Sequence, residues 1–158
     1  MKNQTCCFTG HREIVENEYK LIIRKTNEEI EQLIMNDINI FITGGALGFD
    51  TVCALLILNL KEVHPQIKLH LALPCKTQTK NWTTADTATY EKIFRLADKV
   101  TYVLEIYFRG CMHKRNRYMV DNSSYCIAYC TKKNGGTFYT INYALRQRNN
   151  LINIVDFI

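Results

Sequence analysis

The sequence predicts an α/β protein: one Rossmann-like domain over residues 1–158, with a mainly parallel sheet between two layers of helices. Three observations support this prediction. Apolar, β-branched runs alternate with amphipathic stretches of helical length along the chain. No linker or low-complexity tract separates them, and 158 residues suffice for one ordinary core but not for two. Two of the apolar runs end in glycines just before a helix-length stretch, as strand-to-helix turns do.

The first half of the chain predicts three strands and two helices. Between Glu18 and Asn36 the apolar residues recur at helical spacing, with charged residues on the opposite face. Pro74 ends the third strand, because proline has no N–H to donate to a sheet. The predicted elements are strands at Cys6–Thr9, Ile38–Thr43 and Lys68–Leu73, and helices at Glu18–Asn36 and Asp50–Val63.

The second half continues this alternation. Strands that alternate with helices indicate right-handed crossovers, a parallel sheet and helices on both of its faces. The predicted elements are helices at Thr84–Ala97, Arg115–Ser123 and Gly136–Asn149, and strands at Lys99–Leu104, Tyr125–Cys130 and Leu151–Phe157.

The seven cysteines are predicted to be core residues. Their number is odd, they form no Cys-x-x-Cys pair, and most lie within apolar runs, which is typical of a reducing compartment. The chain begins without the apolar stretch of a signal peptide, and no run approaches the roughly 20 apolar residues of a membrane span. We therefore expect a cytoplasmic protein without a membrane span.

The formal net charge of +5 is unevenly distributed. Acidic residues crowd the first quarter of the chain, and basic residues crowd the last third. Two interpretations remain open: the basic region attracts an anionic ligand, or it is an ordinary solvated face. Its basic residues are Arg109, Lys114, Arg115, Arg117, Lys132, Lys133, Arg146 and Arg148.

Small, hydroxylated and basic residues follow four of the predicted strands. In a parallel sheet these strand ends share one edge, where ligands bind near the point at which the strand order reverses. Glycine turns that lead into helices leave backbone N–H groups directed at that edge, and such groups favour a phosphate. The four segments are Thr9–Arg12, Thr43–Gly45, Pro74–Lys76 and Thr131–Thr137.

Several motifs together point to a known family. They are Phe8-Thr9-Gly10-His11-Arg12, Thr43 through Asp50, Leu73-Pro74, Trp82, Arg115-Asn116, Met119-Val120-Asp121 and Gly135-Gly136-Thr137. In this order they resemble the YpsA-like branch of the SLOG superfamily over nearly the whole chain. SLOG domains are Rossmann-like and include the LOG phosphoribohydrolases and the DNA-processing protein DprA. The resemblance implies that the chain binds a nucleotide or a nucleotide-derived ligand in a sensing or stress-related role.

One departure from the LOG pattern argues against hydrolysis. The LOG hydrolases carry a Pro-Gly-Gly-x-Gly-Thr-x-x-Glu signature, which falls here on Asn134–Asn142. The third glycine is replaced by Phe138, and the glutamate is replaced by Asn142. An amide neither accepts a proton nor stabilises a developing oxocarbenium ion as a carboxylate does. We therefore expect binding rather than catalysis, and we assign no catalytic residue.

We predict that a phosphorylated ligand, a nucleotide or an ADP-ribose-like molecule, binds at this edge of the sheet. We expect no required cofactor and no metal, because Cys111 and His113 offer two ligands where structural zinc needs four. A homo-oligomer is left open. The predicted ligand-binding residues are Thr9, Gly10, His11, Arg12, Gly44, Gly45, Gly48, Asp50, Arg115, Asn116, Gly135, Gly136 and Thr137.

An enzyme remains the first alternative function. It would be a glycosidic-bond hydrolase or transferase that acts on the same class of ligand. The carboxylates available near the site would be Asp50, Glu105 or Asp121. A nucleophilic Cys75 or Cys111 is disfavoured, because most cysteines are inert and nothing nearby in the sequence marks a lowered thiol pKa.

Binding of single-stranded DNA, as in DprA, is the second alternative. It would use the basic last third of the chain and the aromatic residues Phe138, Tyr139 and Tyr143. We expect nucleic-acid binding to be weak or absent, because the acidic first quarter repels a long polyanion. The single tryptophan, Trp82, either stacks on a base or covers the edge of the core.

Other candidate residues also have two interpretations. Asp50 is either the N-cap of the second helix or a contact to a ribose hydroxyl. His11 and Arg12 are either ligand contacts or ordinary loop residues. Arg115 and Arg117 are either the solvated face of a short helix or contacts to a phosphate.

Overall fold

The computed structural model describes residues 1–104 and 109–158, and within them it has the predicted three-layer α/β architecture. The strands are β1 (Thr5–Gly10), β2 (Ile40–Thr43), β3 (Lys68–Leu73), β4 (Lys99–Tyr102), β5 (Tyr125–Tyr129) and β6 (Asn150–Asn153). The helices are α1 (Tyr19–Met35), α2 (Phe49–Leu60), α3 (Thr84–Leu96), α4 (Cys111–Asp121) and α5 (Gly135–Arg146). Short 3₁₀ turns lie at Lys2–Gln4, Glu16–Glu18 and Ile154–Phe157.

The described strands form one parallel sheet in the order β4-β3-β2-β1-β5-β6. From β1 the chain moves outward through β2, β3 and β4, and then returns to the other side of β1 as β5 and β6. The strand order therefore reverses between β1 and β5, where Gly10 lies opposite Tyr129. Crevices beyond the carboxyl ends of the strands at such a point are where open α/β sheets bind ligands.

Two apolar layers hold the helices against the sheet. Successive side chains of a strand point to opposite faces, so Cys6 and Phe8 of β1 pack in one layer and Cys7 packs in the other. The first layer includes α1, α2 and α3, and the second includes α4 and α5. All seven cysteines are buried free thiols, so Cys75 and Cys111 lack the exposure of a reactive nucleophile. Within residues 1–104 and 109–158, no helix has the length and apolar character needed to cross a membrane.

Two predicted element boundaries are wrong by four residues, and others differ from the structure by up to three. Helix α4 begins at Cys111, well before the predicted start, because Cys111, Arg115 and Met119 form one buried face at a spacing of four residues. The last strand stops at Asn153, short of its predicted end. There the Asn153 side chain accepts a hydrogen bond from the N–H of Cys130 at 3.2 Å and donates one to its carbonyl at 3.1 Å. These two bonds take the place of further strand pairing, and a 3₁₀ turn follows.

Candidate functional site

A polar cleft of about 290 Å³ opens at the carboxyl ends of β1 and β5, where the strand order reverses. Most of the predicted ligand-binding residues line it, together with Ala46 and Met112, which sequence reasoning missed. Four predicted glycines lie in the adjoining turns and do not line the cleft: Gly44, Gly45, Gly48 and Gly135. The lining residues are Thr9, Gly10, His11, Arg12, Ala46, Asp50, Met112, Arg115, Asn116, Gly136 and Thr137. Ligand contact by any of them stays a prediction.

The side chain of Arg115 connects α4 to two strand ends. It is 3% exposed, so the interpretation of Arg115 as part of a solvated helix face is wrong. Its Nη1 donates to the carbonyl of Gly44 after β2 and, at 3.5 Å, to the carbonyl of Ala72 in β3. Its Nε donates to Oδ1 of Asn116 at 2.7 Å. Arg115 thus fixes the position of the glycine turn after β2 and also lines the cleft. Its helical neighbour Arg117 is exposed, as that interpretation expects.

Asp50 contributes a buried carboxylate to the same cleft. Helix α2 begins at Phe49 with Gly48 as its N-cap residue, so the interpretation of Asp50 as the N-cap is wrong. Instead its Oδ2 accepts a hydrogen bond from the N–H of Ala46 at 3.3 Å, which holds the glycine turn against the helix. Burial raises the pKa of Asp50 to about 6, although the charge of Arg115 and the backbone hydrogen bonds lower it.

Asp50 and Arg115 carry opposite charges in one cleft without a direct ion pair. In the described part of the chain no ion pair joins them. The charge of each residue nevertheless shifts the pKa of the other at longer range. Burial lowers the pKa of Arg115, and the charge of Asp50 opposes that shift. Arg12 is exposed on the wall of the cleft and supplies a second cation. Two guanidinium groups outweigh one carboxylate at neutral pH, so the cleft favours an anion.

His11 links the end of β1 to the end of β5. Its Nε2 accepts a hydrogen bond from the N–H of Thr131 at 2.9 Å, which places the ring proton of the neutral form on Nδ1. Burial lowers the pKa of His11, and the nearby Lys132 lowers it further. The ring also packs edge-on against Tyr129, with centroids 5.4 Å apart. We infer that His11 is a neutral hydrogen-bonding group at pH 7.

Backbone N–H groups in the glycine turn after β2 already donate hydrogen bonds to other atoms of the protein. The N–H of Phe49 donates to the carbonyl of His11 at 3.1 Å, and the N–H of Ala46 is held by the carboxylate described above. Gly48, at φ 79°, lies against the backbone of Arg12, where a Cβ atom would collide with the Arg12 carbonyl. This turn therefore holds the loop after β1 in place. The N–H of Phe49, at the start of α2, is already hydrogen-bonded within the protein.

The glycine turn after β5 is open. Helix α5 begins at Gly135 without a capping side chain from Asn134. Among the described residues, the N–H groups of Gly135, Gly136 and Thr137 have no hydrogen-bond acceptor. A Cβ atom at Gly135 or Gly136 would have no neighbour within 4 Å. Helix α5 thus presents unpaired N–H groups and the positive end of its dipole to the cleft, an arrangement that suits a phosphate.

Two positions that bear on hydrolysis, Asp121 and Asn142, do not line the cleft. Asp121, at the end of α4, accepts a hydrogen bond from the hydroxyl of Tyr143 at 2.7 Å, and this bond raises the pKa of the tyrosine. Asn142, at the position of the LOG glutamate, donates to the carbonyl of Phe138 in its own helix at 3.1 Å. Glu105 lies outside the described residues. Asp50 is therefore the carboxylate that the described part of the cleft contains.

Trp82 lines a second cleft, of about 680 Å³, which shares Arg12 and Met112 with the first. Its ring is half-buried and meets Tyr90 edge to face, with centroids 5.4 Å apart and an interplanar angle of 88°. Tyr90 packs against the main apolar cluster, whereas Trp82 belongs to none of the clusters found among the described residues. Trp82 therefore contacts the core through Tyr90, and stacking on a base stays a prediction.

Comparison of the sequence with known families supports the resemblance that the motifs indicated. The family model of YpsA, described as the YspA SLOG family, matches residues 6–157. The chain belongs to the YpsA SLOG family. It is similar to the SPbeta prophage-derived protein YoqJ of Bacillus subtilis, with 34% identity over 128 residues, 73% of this chain and 75% of that protein. It is also similar to the UPF0398 protein BH1768 of Halalkalibacterium halodurans, with 27% identity over 77% of this chain and 66% of the relative.

Two solved structures of DNA processing protein A share the fold of this YpsA SLOG chain. The protein from Helicobacter pylori gives a TM-score of 0.63 at 16% identity, and the match covers 93% of this chain and 63% of that one. The protein from Streptococcus pneumoniae gives a TM-score of 0.67 at 15% identity, covering 95% of this chain and 50% of that one. The chain thus spans between half and two thirds of these proteins, and at such low identity the likeness shows the fold alone.

Proposed function

We propose that this YpsA SLOG chain binds a phosphorylated nucleotide-type ligand in the cleft at the ends of β1 and β5, and acts as a sensor or regulator. One observation carries the proposal: the open N-terminus of α5 and the guanidinium groups of Arg12 and Arg115 line the same cleft. Helix N–H groups and arginine side chains are the groups with which proteins commonly hold phosphate. The surplus of positive charge supports the same class of ligand.

The chemistry of the cleft supports binding over turnover. Glycosidic-bond hydrolysis commonly uses two carboxyl groups, one as an acid and one as a nucleophile or base. The described part of the cleft offers Asp50, whose carboxylate already holds the N–H of Ala46. The position of the LOG glutamate carries Asn142, whose side chain donates back to its own helix. A hydrolase at this site would therefore depend on Asp50 acting without the glutamate of the LOG hydrolases.

Thermal shift measurements test the proposed ligand class. AMP and ADP-ribose should raise Tm, and adenosine should raise it much less, because the N–H groups of α5 recognise phosphate. Equal shifts with AMP and adenosine, or no shift from any member of a broad nucleotide panel, would contradict the proposal.

Three variants locate the site in that experiment. Gly136→Glu places a negative charge at the open helix end, where a new Cβ meets nothing within 4 Å. It should abolish the shifts without lowering the Tm of the free protein, because an acidic side chain suits a helix N-terminus. Arg12→Ala should weaken binding, whereas Arg95→Ala, at an exposed position on α3 outside the cleft, should leave binding unchanged.

A base-release assay separates the sensor from the hydrolase. Incubation with nucleoside monophosphates should release no free base above a control without protein. Release that disappears in Asp50→Asn but persists in Asp121→Asn would assign the chain to the enzymes. Asp121 is the matched control, because it is an exposed carboxylate that the described cleft does not include.

Single-stranded DNA binding is a second candidate, favoured by the likeness to DNA processing protein A, since one of these structures concerns a single-stranded DNA binding mode. Two of the aromatic residues considered for stacking are engaged with α4. The ring of Tyr139 meets His113 with centroids 4.5 Å apart, and Tyr143 donates to Asp121. The sequence identity of 16% gives no residue-level support for a shared DNA site. Titration with labelled single-stranded DNA at several salt concentrations tests this candidate.

A further inference from the structure

The second cleft adjoins the first at Arg12 and Met112, and the two differ in chemistry. The first cleft offers helix N–H groups and guanidinium groups. The second, at about 680 Å³, is larger and combines the apolar side chains of Trp82, Leu47 and Met112 with polar side chains. The polar residues are Arg12, Thr77, Gln78, Lys80 and Asn81. An aromatic face flanked by hydrogen-bonding side chains suits a flat aromatic ligand that also carries polar edges.

We propose that the nucleobase of the bound ligand stacks on Trp82 in the second cleft while its phosphate lies at the N-terminus of α5. This inference rests on the proposed nucleotide-type ligand and identifies where its base binds. Arg12 and Met112 line both clefts and therefore mark the passage that the ribose occupies.

Trp82 is held in position and keeps part of its ring exposed. The edge-to-face contact with Tyr90 fixes the indole, and Tyr90 is in turn packed against Phe94, with centroids 6.3 Å apart, and against the core. Trp82 itself belongs to no apolar cluster of the described residues, so this contact with Tyr90 is its connection to the core. An indole held in this way is a surface on which any base can stack.

Gln78 has unused hydrogen-bonding capacity beside this ring. Its Nε2 lies 3.5 Å from the carbonyl of Gly44, at the limit of a hydrogen bond. Its Oε1 is buried and, among the described residues, has no hydrogen-bond partner, although buried acceptors are normally paired. A carboxamide can donate to a ring nitrogen of adenine and accept from its exocyclic amino group. After a rotation of the carboxamide, such an amino group would supply the missing donor. At the edge that carries N7, hypoxanthine presents two acceptors and no donor, so a carboxamide bound there favours adenine.

Fluorescence tests the proposal directly, because Trp82 is the single tryptophan of the chain. AMP should quench its emission on binding. Ribose 5-phosphate, which has the phosphate but no base, should raise Tm without quenching. AMP should also bind about 10- to 100-fold more tightly than ribose 5-phosphate, which is the affinity expected from one stacked base.

Substitutions separate stacking from fold effects. Trp82→Ala should reduce the affinity for AMP to that for ribose 5-phosphate and leave the latter unchanged. Trp82→Phe keeps an aromatic face and should retain most of the affinity for AMP, which excludes a general loss of structure. Gln78→Leu should remove the preference for AMP over IMP, since IMP lacks the exocyclic amino group.

Each other outcome overturns the proposal in a recognisable way. If AMP binds without a change in emission and Trp82→Ala binds it equally well, the base lies elsewhere and the phosphate site stands. If neither AMP nor ribose 5-phosphate binds, the proposed nucleotide function fails and the base site fails with it. If short single-stranded DNA quenches Trp82 at lower concentrations than any mononucleotide, the indole serves nucleic acid instead.

Discussion

Arg115 and Gly44 are joined by a hydrogen bond from the guanidinium Nη1 to the glycine carbonyl, although 71 residues separate them in the chain. The contact requires glycine, because a Cβ atom at position 44 would lie 2.5 Å from that nitrogen. One buried side chain therefore fixes the turn after β2 and also presents positive charge to the cleft.

Gly44→Ala should destabilise the protein, because the new methyl group displaces the Arg115 guanidinium. We expect a loss of about 1–3 kcal/mol in the free energy of unfolding, the usual effect of overpacking a buried site. Gly136→Ala is the matched control: it meets nothing within 4 Å, and it should be neutral or stabilising by up to about 1 kcal/mol. Urea denaturation of both variants measures the difference. Equal stabilities would show that Arg115 moves aside without loss.

Replacement of Arg115 by methionine should lower the free energy of unfolding by about 2–4 kcal/mol. It removes the donor to the carbonyls of Gly44 and Ala72 and leaves the buried Asp50 carboxylate without its neighbouring cation. Arg117→Met, two residues along the same helix, changes an exposed side chain and should alter stability by less than about 0.5 kcal/mol. Chemical denaturation of the two variants measures the difference. Similar losses in the free energy of unfolding would contradict the structural role assigned to Arg115.

Most of the fold could be predicted from the sequence, because strands buried on both faces are continuous apolar runs. The end of β6 could not, because it depends on Asn153 bonding to the backbone of Cys130, a contact across the sheet. The start of α4 was recognisable in principle. Cys111, Arg115 and Met119 recur every four residues, but a charged residue in the middle conceals the apolar stripe.

The location of the candidate site could be predicted from the sequence, but the roles of its individual residues could not. Parallel strand ends share one edge, so the predicted motifs converge, as the cleft lining shows. The sequence could not show that the turn at Gly48 is closed by the loop after β1, whereas the turn at Gly135 is open. It also left Asp50 open as a possible N-cap, because it did not show that Gly48, at φ 79°, takes that position. Contacts between distant loops decide both points.

Asp50→Asn should stabilise the protein at pH 7.5 and have little effect near pH 4. Burial raises the folded-state pKa of Asp50 from 3.8 to about 6. The folded state therefore binds the proton more tightly, and this stabilisation is complete below about pH 4 and is lost as the pH rises through 6. Asparagine avoids the buried charge and can still accept the N–H of Ala46. The shift corresponds to about 3 kcal/mol at most.

Urea denaturation of wild type and Asp50→Asn at a series of pH values measures this difference. The gain in the variant should grow between pH 4 and pH 6 and then remain constant. Asp121→Asn serves as the control for the substitution itself, because Asp121 is exposed. A loss of stability in Asp50→Asn above pH 6 would mean that attraction to Arg115 outweighs the effect of burial.

The arrangement of basic residues bears on the DNA candidate. Lys132 and Lys133 lie just before the N-terminus of α5, whereas Arg146 and Arg148 lie at its other end. A helix of 12 residues separates the two pairs by about 18 Å. Arg146 also makes a cation–π contact with Tyr143, whose ring centroid is 5.8 Å from the guanidinium carbon. The two pairs therefore form two separate patches, and the first lies beside the proposed phosphate site.

We expect that single-stranded DNA binds only weakly at about 150 mM salt, with a Kd no tighter than the ~10⁻⁴–10⁻⁶ M of non-specific contacts. Fluorescence anisotropy of a labelled oligonucleotide measures this, and its salt dependence estimates how many phosphates are neutralised. Changing Lys132 and Lys133 to alanine should weaken the binding of a nucleotide at the N-terminus of α5. Changing Arg146 and Arg148 to alanine should leave that binding unchanged, because they lie at the far end of the helix. Submicromolar DNA binding that falls steeply with salt and is reduced by both double variants would require a strand that crosses both patches, and it would make nucleic acid the partner of this face.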